Sequence, residues 1–158
     1  MIGRLDELNQ LERFYNSSKF EFLTMYGRRR IGKTTILREF AGRHKALFFS
    51  AQEKNDSLNL LDFSKMVQTF FEGSFISSFQ NWEAAFEYIT GKISDKKLVL
   101  IIDEFPFLAE PNPSIKSILQ HTIDHVWKGK NIFLILCGSS VSFMPVSYTH
   151  LRAHETEL

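Results

Sequence analysis

The amino-acid sequence predicts an α/β fold in which helices cover both faces of a parallel sheet. Three observations support this prediction. Segments rich in β-forming residues alternate with segments of helical periodicity along the chain. The run from Leu98 to Ile102 is entirely apolar, as expected for a strand buried on both faces. A glycine-containing loop from Gly27 to Thr34 joins a predicted strand to a predicted helix.

In the first half of the chain, we expect a helix, a strand, a second helix and a second strand. The opening helix carries an apolar residue at every third position, with charged residues between them. Gly42 is placed to end the second helix. The predicted elements are a helix carrying Leu5, Leu8, Leu11 and Phe14, a strand at 21–26, a helix at 36–41 and a strand at 46–51.

In the second half, three helical segments surround two apolar strands. The first helix has apolar residues at i, i+3, i+4, i+7 and i+8 from Phe63 and is interrupted at 73–78. A second stripe runs from Trp82 to Ile93. The third helix starts at Asn112-Pro113 and is ended by Gly129. The predicted strands are 98–102 and 132–137, and the third helix presents Ile115, Ile118, Leu119, Thr122, Ile123 and Val126 on one side.

The composition limits the class of protein. The chain has 158 residues, 44% of them hydrophobic and 23% charged, so one globular domain is expected. A formal net charge of +1 gives no global field that favours nucleic acid. The single cysteine, Cys137, excludes an internal disulfide and agrees with a reducing cytoplasm. The charged start lacks a signal-peptide core, and no apolar run could span a bilayer, so we expect a cytoplasmic protein without membrane contact.

The loop that follows the first strand fits the pattern G-x-x-x-x-G-K-[ST], which binds phosphate. Glycines let backbone N–H groups approach phosphate oxygens, and the helix that follows points its positive end at the anion. Lys33 supplies a charge for the β- and γ-phosphates, and Thr34 supplies a hydroxyl for Mg²⁺. The predicted nucleotide-binding residues are Gly27, Arg28, Arg29, Arg30, Ile31, Gly32, Lys33, Thr34 and Thr35.

Two carboxylates follow the third strand, where open α/β sheets place ligands. Asp103 is expected to hold Mg²⁺, directly or through water, and Glu104 to orient and polarise the water that attacks the γ-phosphate. A strand ending in a solvated turn is the alternative, which the upstream phosphate loop disfavours. Ser139, after the fourth strand, is predicted to sense the γ-phosphate, with a helix N-cap as the alternative.

Three further polar features of the sequence are expected to have structural roles and not to form additional sites. His121 and His125 are spaced i, i+4, which suits zinc, but no further ligands are in view, so a solvated helix face is expected. The arginine triplet 28–30 is expected to support the phosphate loop rather than to contact nucleic acid. Cys137 lies in an apolar strand and is expected to be inert core.

Four stretches together resemble the prokaryotic archaeal-type ATPase family, which are AAA-type P-loop ATPases. They are residues 2–8, the Walker A segment GRRRIGKT, the Walker B segment LVLIIDEFPFLAE and the segment FLILCGSSVSFM. The resemblance implies a three-layer P-loop NTPase sandwich of strand order 5-1-4-3-2, with ATP and Mg²⁺ as ligands. It also implies that Gly3 and Arg4 lie near the adenine, and it is compatible with a homo-oligomer.

The resemblance extends to about Met144, where the character of the sequence changes. Family members continue into a fifth strand, a helical lid and a winged-helix or nuclease-like region, so nucleic acid would be contacted only through those regions. We expect an ATPase core at 1–144 that lacks strand 5, and a non-native tail at 145–158 without regular pairing to the sheet. The strand at 21–26 would then be an exposed edge.

These features predict an ATPase that requires Mg²⁺ and turns over slowly as an isolated chain, because an additional arginine is often needed for charge stabilisation. The alternative is an ATP-controlled binding switch with negligible hydrolysis that acts through a partner or DNA. A small-molecule kinase is a weaker third interpretation, which the adjacent Asp-Glu pair disfavours.

Overall fold

The structure is a computed structural model that describes residues 2–26, 31–138 and 154–157. Its centre is a sheet of the strands β1 (Glu21–Tyr26), β2 (Leu47–Ser50), β3 (Leu98–Asp103), β4 (Ile132–Gly138) and β5 (His154–Glu157). All neighbouring strands are parallel and lie in the order β2-β3-β4-β1-β5. This is the predicted order 5-1-4-3-2, read from the other edge.

Helices fill the crossovers between the parallel strands. The described residues form α1 (Ile2–Asn16), α2 (Ile31–His44), α3 (Asp56–Glu72), α4 (Trp82–Thr90), α5 (Pro106–Ala109), α6 (Ser114–His125) and a 3-10 turn at Trp127–Gly129. Among these residues, no helix combines the length and apolar content needed to cross a bilayer.

The two central strands are buried on both faces, as their unbroken apolar sequences predict. In β3, Val99 and Ile101 pack with α1 and α2, whereas Leu100 and Ile102 pack under α3, α4 and α6. Each of these four side chains is at most 2% exposed. Burial of a side chain of this size contributes roughly 1.5–3 kcal/mol. The three-layer α/β arrangement is therefore confirmed.

Helix α1 forms as predicted, but its apolar stripe does not all face the core. Leu8 and Leu11 are buried, whereas Leu5 is 63% exposed. Three residues turn a helix by about 300°, so each successive member of a strict three-residue repeat lags by about 60°. The stripe therefore winds around the helix. Leu5 turns away from the sheet, whereas Phe14 at the other end packs edge-on against Phe133 of β4, with ring centroids 5.7 Å apart.

Helix α2 does not end at Gly42, which was the predicted stop. It continues to His44, and Lys45 adopts the left-handed conformation with φ 51°. The Ala46 N–H then bonds to the Ala41 carbonyl at 3.1 Å, which closes the helix in a Schellman motif. Gly42 does not adopt the positive φ with which a glycine ends a helix, and Lys45 takes that conformation instead.

In the second half, α3 agrees with the sequence at its end but starts earlier than predicted, whereas α4 and α6 agree at their starts. Asn55 caps α3, and Gly73 ends it at φ 80°. Helix α4 ends at Thr90, although its apolar stripe continues to Ile93. Gly129 closes the 3-10 turn rather than α6. The four-residue α5 had no predicted counterpart.

The expected absence of a fifth strand differs from the structure. Residues of β5 pair in parallel with β1, with Leu23 beside His154 and Tyr26 beside Glu157, so β1 has a neighbour on each side. The side chains of residues 145–158 show no strand pattern that would indicate this pairing. Pairing along an edge instead satisfies backbone N–H and C=O groups, which every residue except proline offers. The domain boundary near Met144 stays a prediction.

Candidate functional site

The polar residues of the site converge at the carboxyl end of the sheet. Strands β1 and β4 are paired to their last residues, Tyr26 beside Gly138, and β3 ends at Asp103 on the other side of β4. Helix α2 begins at Ile31, with four residues between it and the end of β1. Its first backbone N–H groups have no partner within the helix. The fold thus brings a helix N-terminus and two strand ends together.

Lys33 lies in the first turn of α2 and is only 3% exposed. Its Nζ donates a hydrogen bond of 3.1 Å to the carbonyl oxygen of Gly138, the last residue of β4. A buried ammonium is costly unless it is hydrogen-bonded, and a lysine carries three donors. This bond holds the charge at the carboxyl end of the sheet and leaves two donors for an anion.

Thr34 and Asp103 join the first motif to the second. The Thr34 hydroxyl donates to Asp103 Oδ2 at 3.2 Å across a sequence separation of 69 residues. The Asp103 side chain is nearly buried at 4% exposure, and its Oδ1 accepts the Glu104 N–H at 3.0 Å. The two side chains therefore place a hydroxyl and a carboxylate side by side, both of which are ligands suited to Mg²⁺.

Glu104 follows directly and has an unusual backbone. Its φ is 58°, in the left-handed region that non-glycine residues rarely adopt. The turn is held by Phe105, which is fully buried and whose N–H bonds to the Cys137 carbonyl at 2.8 Å. The Phe107 N–H adds a bond of 2.9 Å to the Glu104 carbonyl. The buried aromatic residue therefore fixes the half-buried Glu104 immediately beyond Asp103.

Cys137 lies beneath this site and is fully buried. Burial raises the pKa of its thiol well above the usual value, the Asp103 carboxylate raises that pKa further, and the Lys33 ammonium opposes both effects. The thiol therefore stays neutral at physiological pH and is a weak nucleophile. The expectation of an inert core cysteine agrees with this environment.

The remaining predicted site residues fall into two groups. Ile31, Gly32 and Thr35 lie in the first turns of α2, and Gly3 and Arg4 lie in the first turn of α1. Gly27, Arg28, Arg29, Arg30 and Ser139 lie outside the described residues.

Two contributors to the site were not anticipated from the sequence. The Gly138 carbonyl had no assigned role, yet it is the acceptor for Lys33. Phe105 was not singled out, yet it anchors the turn that carries Glu104. A single apolar residue directly after two acids could have indicated such an anchor, since a solvated turn gains little from a phenylalanine there.

The histidine pair on α6 does not extend to a metal site within the described part of the chain. The rings of His121 and His125 lie 4.3 Å apart, and both residues are exposed. No group of three or more histidine, cysteine or carboxylate side chains that could hold a metal occurs among the described residues. The pair therefore fits the solvated helix face that the sequence predicts.

Taken chemically, the carboxyl end offers complementary groups for a phosphorylated ligand and a hard cation. The helix N-terminus and the Lys33 ammonium favour phosphate oxygens. The Thr34 hydroxyl and the Asp103 carboxylate suit an ion that takes only oxygen ligands. Glu104 follows Asp103 directly in the chain and adds a second carboxylate at this end of the sheet.

Comparisons with known proteins agree with this arrangement. A family model described as an ATPase domain predominantly from Archaea matches residues 1–156. An uncharacterized protein of Methanocaldococcus jannaschii is 33% identical over 143 residues, which is 90% of this chain and 30% of that protein. The chain therefore spans less than a third of that relative.

Solved structures share the fold at lower sequence identity. The Walker-type ATPase of Pyrococcus abyssi superimposes with a TM-score of 0.65 at 18% identity, covering 98% of this chain and 52% of that one. The Orc1 protein of Aeropyrum pernix, solved in complex with DNA, gives a TM-score of 0.57 at 16% identity, covering 98% of this chain and 44% of that one. Both similarities indicate a P-loop ATPase fold.

Proposed function

Because this chain belongs to the family of ATPase domains found predominantly in Archaea, we propose that it binds ATP with Mg²⁺ and hydrolyses it at the carboxyl end of the sheet. The observation that carries the proposal is the contact between Thr34 and Asp103. Residues of two motifs that are far apart in sequence meet there, beside the buried ammonium of Lys33.

Nucleotide binding is assigned to the start of α2 and the loop before it. The Lys33 ammonium binds the β- and γ-phosphates with the donors that Gly138 leaves free, and the N-terminus of α2 adds its backbone N–H groups. The residues from Gly27 to Thr35 form this phosphate site. Gly3 and Arg4 are assigned to the adenine by family resemblance.

The metal site is assigned to Thr34 and Asp103. Both side chains offer oxygen, and both lie within hydrogen-bond distance of each other. When bound with ATP, Mg²⁺ neutralises charge that develops on the phosphates. Asp103 is already held from three sides, because its carboxylate accepts from Thr34 and Glu104 and its backbone carbonyl accepts from Ala51 at 3.0 Å.

Hydrolysis is assigned to Glu104, which would orient the attacking water and polarise it. Its backbone is held in the left-handed region by the buried Phe105, so the carboxylate is carried on a rigid turn rather than a loose loop. Ser139 is proposed to sense the γ-phosphate from the end of β4. We place this reaction in the cytoplasm, where ATP, Mg²⁺ and a reduced Cys137 coexist.

Slow turnover is expected of the chain alone. An arginine finger contributes about 10³–10⁵ in rate to phosphoryl transfer, and we propose that a neighbouring copy or a later segment supplies it. The partners that follow are ATP and a second copy of the chain. Nucleic acid is not assigned to the ATP site, although one structural neighbour was solved in complex with DNA.

The test is phosphate release from ATP and Mg²⁺ without any added acceptor, compared between wild type, Glu104→Gln and Glu83→Gln. Glu83 is a charge-matched control on the exposed surface of α4, a helix that contributes no residue to the proposed site. We expect Glu104→Gln to lose at least tenfold in rate while its ATP affinity, measured by calorimetry, stays within about twofold of wild type. Glu83→Gln should change neither.

The outcomes separate the candidate functions. Tight ATP binding with no phosphate release by wild type would favour the binding switch. Formation of ADP only when a small-molecule acceptor is present, with the phosphoryl group carried by the acceptor and not released, would favour a kinase. Equal turnover by wild type and Glu104→Gln would remove Glu104 from the mechanism.

A further inference from the structure

The amino end of the sheet, opposite the proposed ATP site, carries most of the lysines. Seven of the eleven lysines lie in the described loops that lead into β1, β2, β3 and β4. Asp95 is the single acidic residue in those loops. Positive charge is therefore concentrated at the amino end of the sheet, although the net charge of the chain is only +1. The seven are Lys19, Lys45, Lys92, Lys96, Lys97, Lys128 and Lys130.

Three of these loops form a cleft of about 620 Å³. Lys19, Lys128 and Lys130 line it, together with the hydroxyl-bearing Ser18 and Ser94. The cleft lies below the starts of β1, β3 and β4, which are neighbours in the sheet. It therefore presents cationic and hydrogen-bonding groups from three chain segments to one space.

Hydrogen bonds between the loops hold the walls of the cleft together. The Lys97 ammonium, on a side chain that is 7% exposed, donates to the Lys19 carbonyl. The Asn131 amide donates to the Asp95 carbonyl at 2.6 Å, and the Leu98 N–H donates to the Asn131 carbonyl at 3.1 Å. These bonds join the loop before β3 to those before β1 and β4.

Five of the seven lysines are exposed and have no ion pair among the described residues. This set, which we call the lysine edge, consists of Lys19, Lys45, Lys96, Lys128 and Lys130. Lys92 differs because it pairs with Glu72 at 3.0 Å, and Lys97 differs because it is buried. The lysine edge thus presents five exposed ammonium groups, and Asp95 is the one carboxylate among the residues that line the cleft.

Compensation of helix dipoles accounts for only part of this pattern. Helices that cross back over a parallel sheet end near the starts of the strands, and a lysine there gains about 0.3–1 kcal/mol within the last turn. Lys45 fits this explanation. Lys96 and Lys130 lie several residues beyond the ends of α4 and α6, next to the starts of β3 and β4, so the dipole does not explain them.

We propose that the lysine edge binds the phosphate backbone of nucleic acid without sequence preference. Neighbouring strands lie about 4.8 Å apart, so lysines before the four strands β2-β3-β4-β1 extend over roughly 14 Å. One strand of duplex DNA carries a phosphate every 3.4 Å or so of helix axis, and about four phosphates fit that span. The serine hydroxyls of the cleft add hydrogen bonds to phosphate or sugar.

A lipid surface is a poorer match for the same charge. Membrane-surface binding usually adds apolar side chains that enter the interface. Among the exposed large hydrophobic residues of the described chain, only Val126 lies in these loops, at 38% exposure. The apolar residues that line the cleft, Phe20 and Ile93, are buried or partly buried. A concave cationic surface with hydroxyl groups suits a phosphodiester strand better than a flat bilayer.

The experiment is a titration of the full chain, without nucleotide, against a fluorescent 20-base-pair duplex between 50 and 200 mM salt. The variant is Lys128→Gln with Lys130→Gln, and the control with the same charge change is Lys65→Gln with Lys116→Gln on α3 and α6. For duplex DNA each lost phosphate contact should reduce the slope of log K against log salt by about 0.9. We therefore expect a reduction near 1.8 and roughly tenfold or more weaker binding at 50 mM salt.

Each outcome bears on the proposal. Weaker binding and a shallower slope in Lys128→Gln/Lys130→Gln, with the control unchanged, would support it, provided both variants keep the wild-type melting temperature. If that variant does not fold, Lys19→Gln with Lys96→Gln tests the same surface. No duplex binding by wild type at 50 mM salt would overturn the proposal, as would equal losses in variant and control. Binding to phosphatidylserine vesicles without binding to the duplex would assign the surface to a membrane instead.

Discussion

The two ends of the sheet each bury one lysine, and the two lysines differ in what surrounds them. Lys33 at the carboxyl end donates to the Gly138 carbonyl, and Lys97 at the amino end donates to the Lys19 carbonyl. Lys33 sits on a helix N-terminus, and its chain neighbour Thr34 bonds to a carboxylate from another strand. A buried, hydrogen-bonded lysine therefore does not by itself indicate a ligand-binding site. The convergence of further ligand groups distinguishes Lys33.

The remaining charges extend this contrast. At the carboxyl end, Asp103 is almost buried and its oxygens are committed to fixed partners. At the amino end, the lysines are exposed, and their fields are screened within about 8–10 Å at physiological salt. Ligand binding at the carboxyl end should therefore depend mainly on short-range geometry. Ligand binding at the amino end should depend mainly on ionic strength.

The largest expected effect tests whether the carboxyl-end turn depends on its buried anchor. Phe105→Ala should lower the free energy of unfolding by about 3–5 kcal/mol, because a fully buried phenylalanine leaves a cavity. Phe70→Ala, at a position that is 41% exposed, is the control and should cost far less. Urea denaturation measures both. Equal losses would mean that Phe105 is no special anchor.

The next effect compares the two buried lysines directly. Lys33→Met should weaken ATP binding at least 100-fold, which corresponds to about 2.7 kcal/mol, because charge-assisted bonds to phosphate are lost. Lys97→Met should leave ATP affinity within about twofold of wild type, since Lys97 lies at the other end of the sheet. Isothermal titration calorimetry gives both values. Similar losses in the two variants would contradict the assignment of the ATP site.

A third, smaller effect concerns the backbone at Glu104. Glu104→Gly and Glu104→Ala both remove the carboxylate, but only glycine adopts φ 58° without strain. We expect the glycine variant to be more stable than the alanine variant by about 1 kcal/mol. Chemical denaturation of the pair measures this difference. If alanine is the more stable, the positive φ carries no strain.

The smallest effect is a pH dependence at the amino end. Burial lowers the pKa of Lys97 below its usual 10.5, and the Glu21 carboxylate offsets part of that shift. Between the lowered pKa and 10.5, the unfolded chain binds more protons at this residue than the folded chain, so its contribution makes stability rise with pH. Lys97→Met should lack this rise. Melting temperatures at pH 8 and pH 10, compared between wild type and variant, test the sign.

The sequence by itself determined the alternation of elements, the three layers and the two motifs of the proposed ATP site. Periodicity identifies the strands because a strand buried on both faces must be apolar throughout, as 98–102 is. The phosphate-loop pattern is readable because its chemistry depends on residue types at fixed spacing. The order of the strands came from the family resemblance and is confirmed.

Only the tertiary structure decided how distant segments meet. The bond from Lys33 to the Gly138 carbonyl and the pairing of β5 with β1 use backbone groups, which every residue carries and which leave no signature in the sequence. The end of α2 at His44 likewise depended on Lys45 adopting a conformation usually left to glycine. The lysine edge forms only when loops far apart in the chain are assembled at one end of the sheet. The net charge of a sequence does not say where in the fold its charges lie.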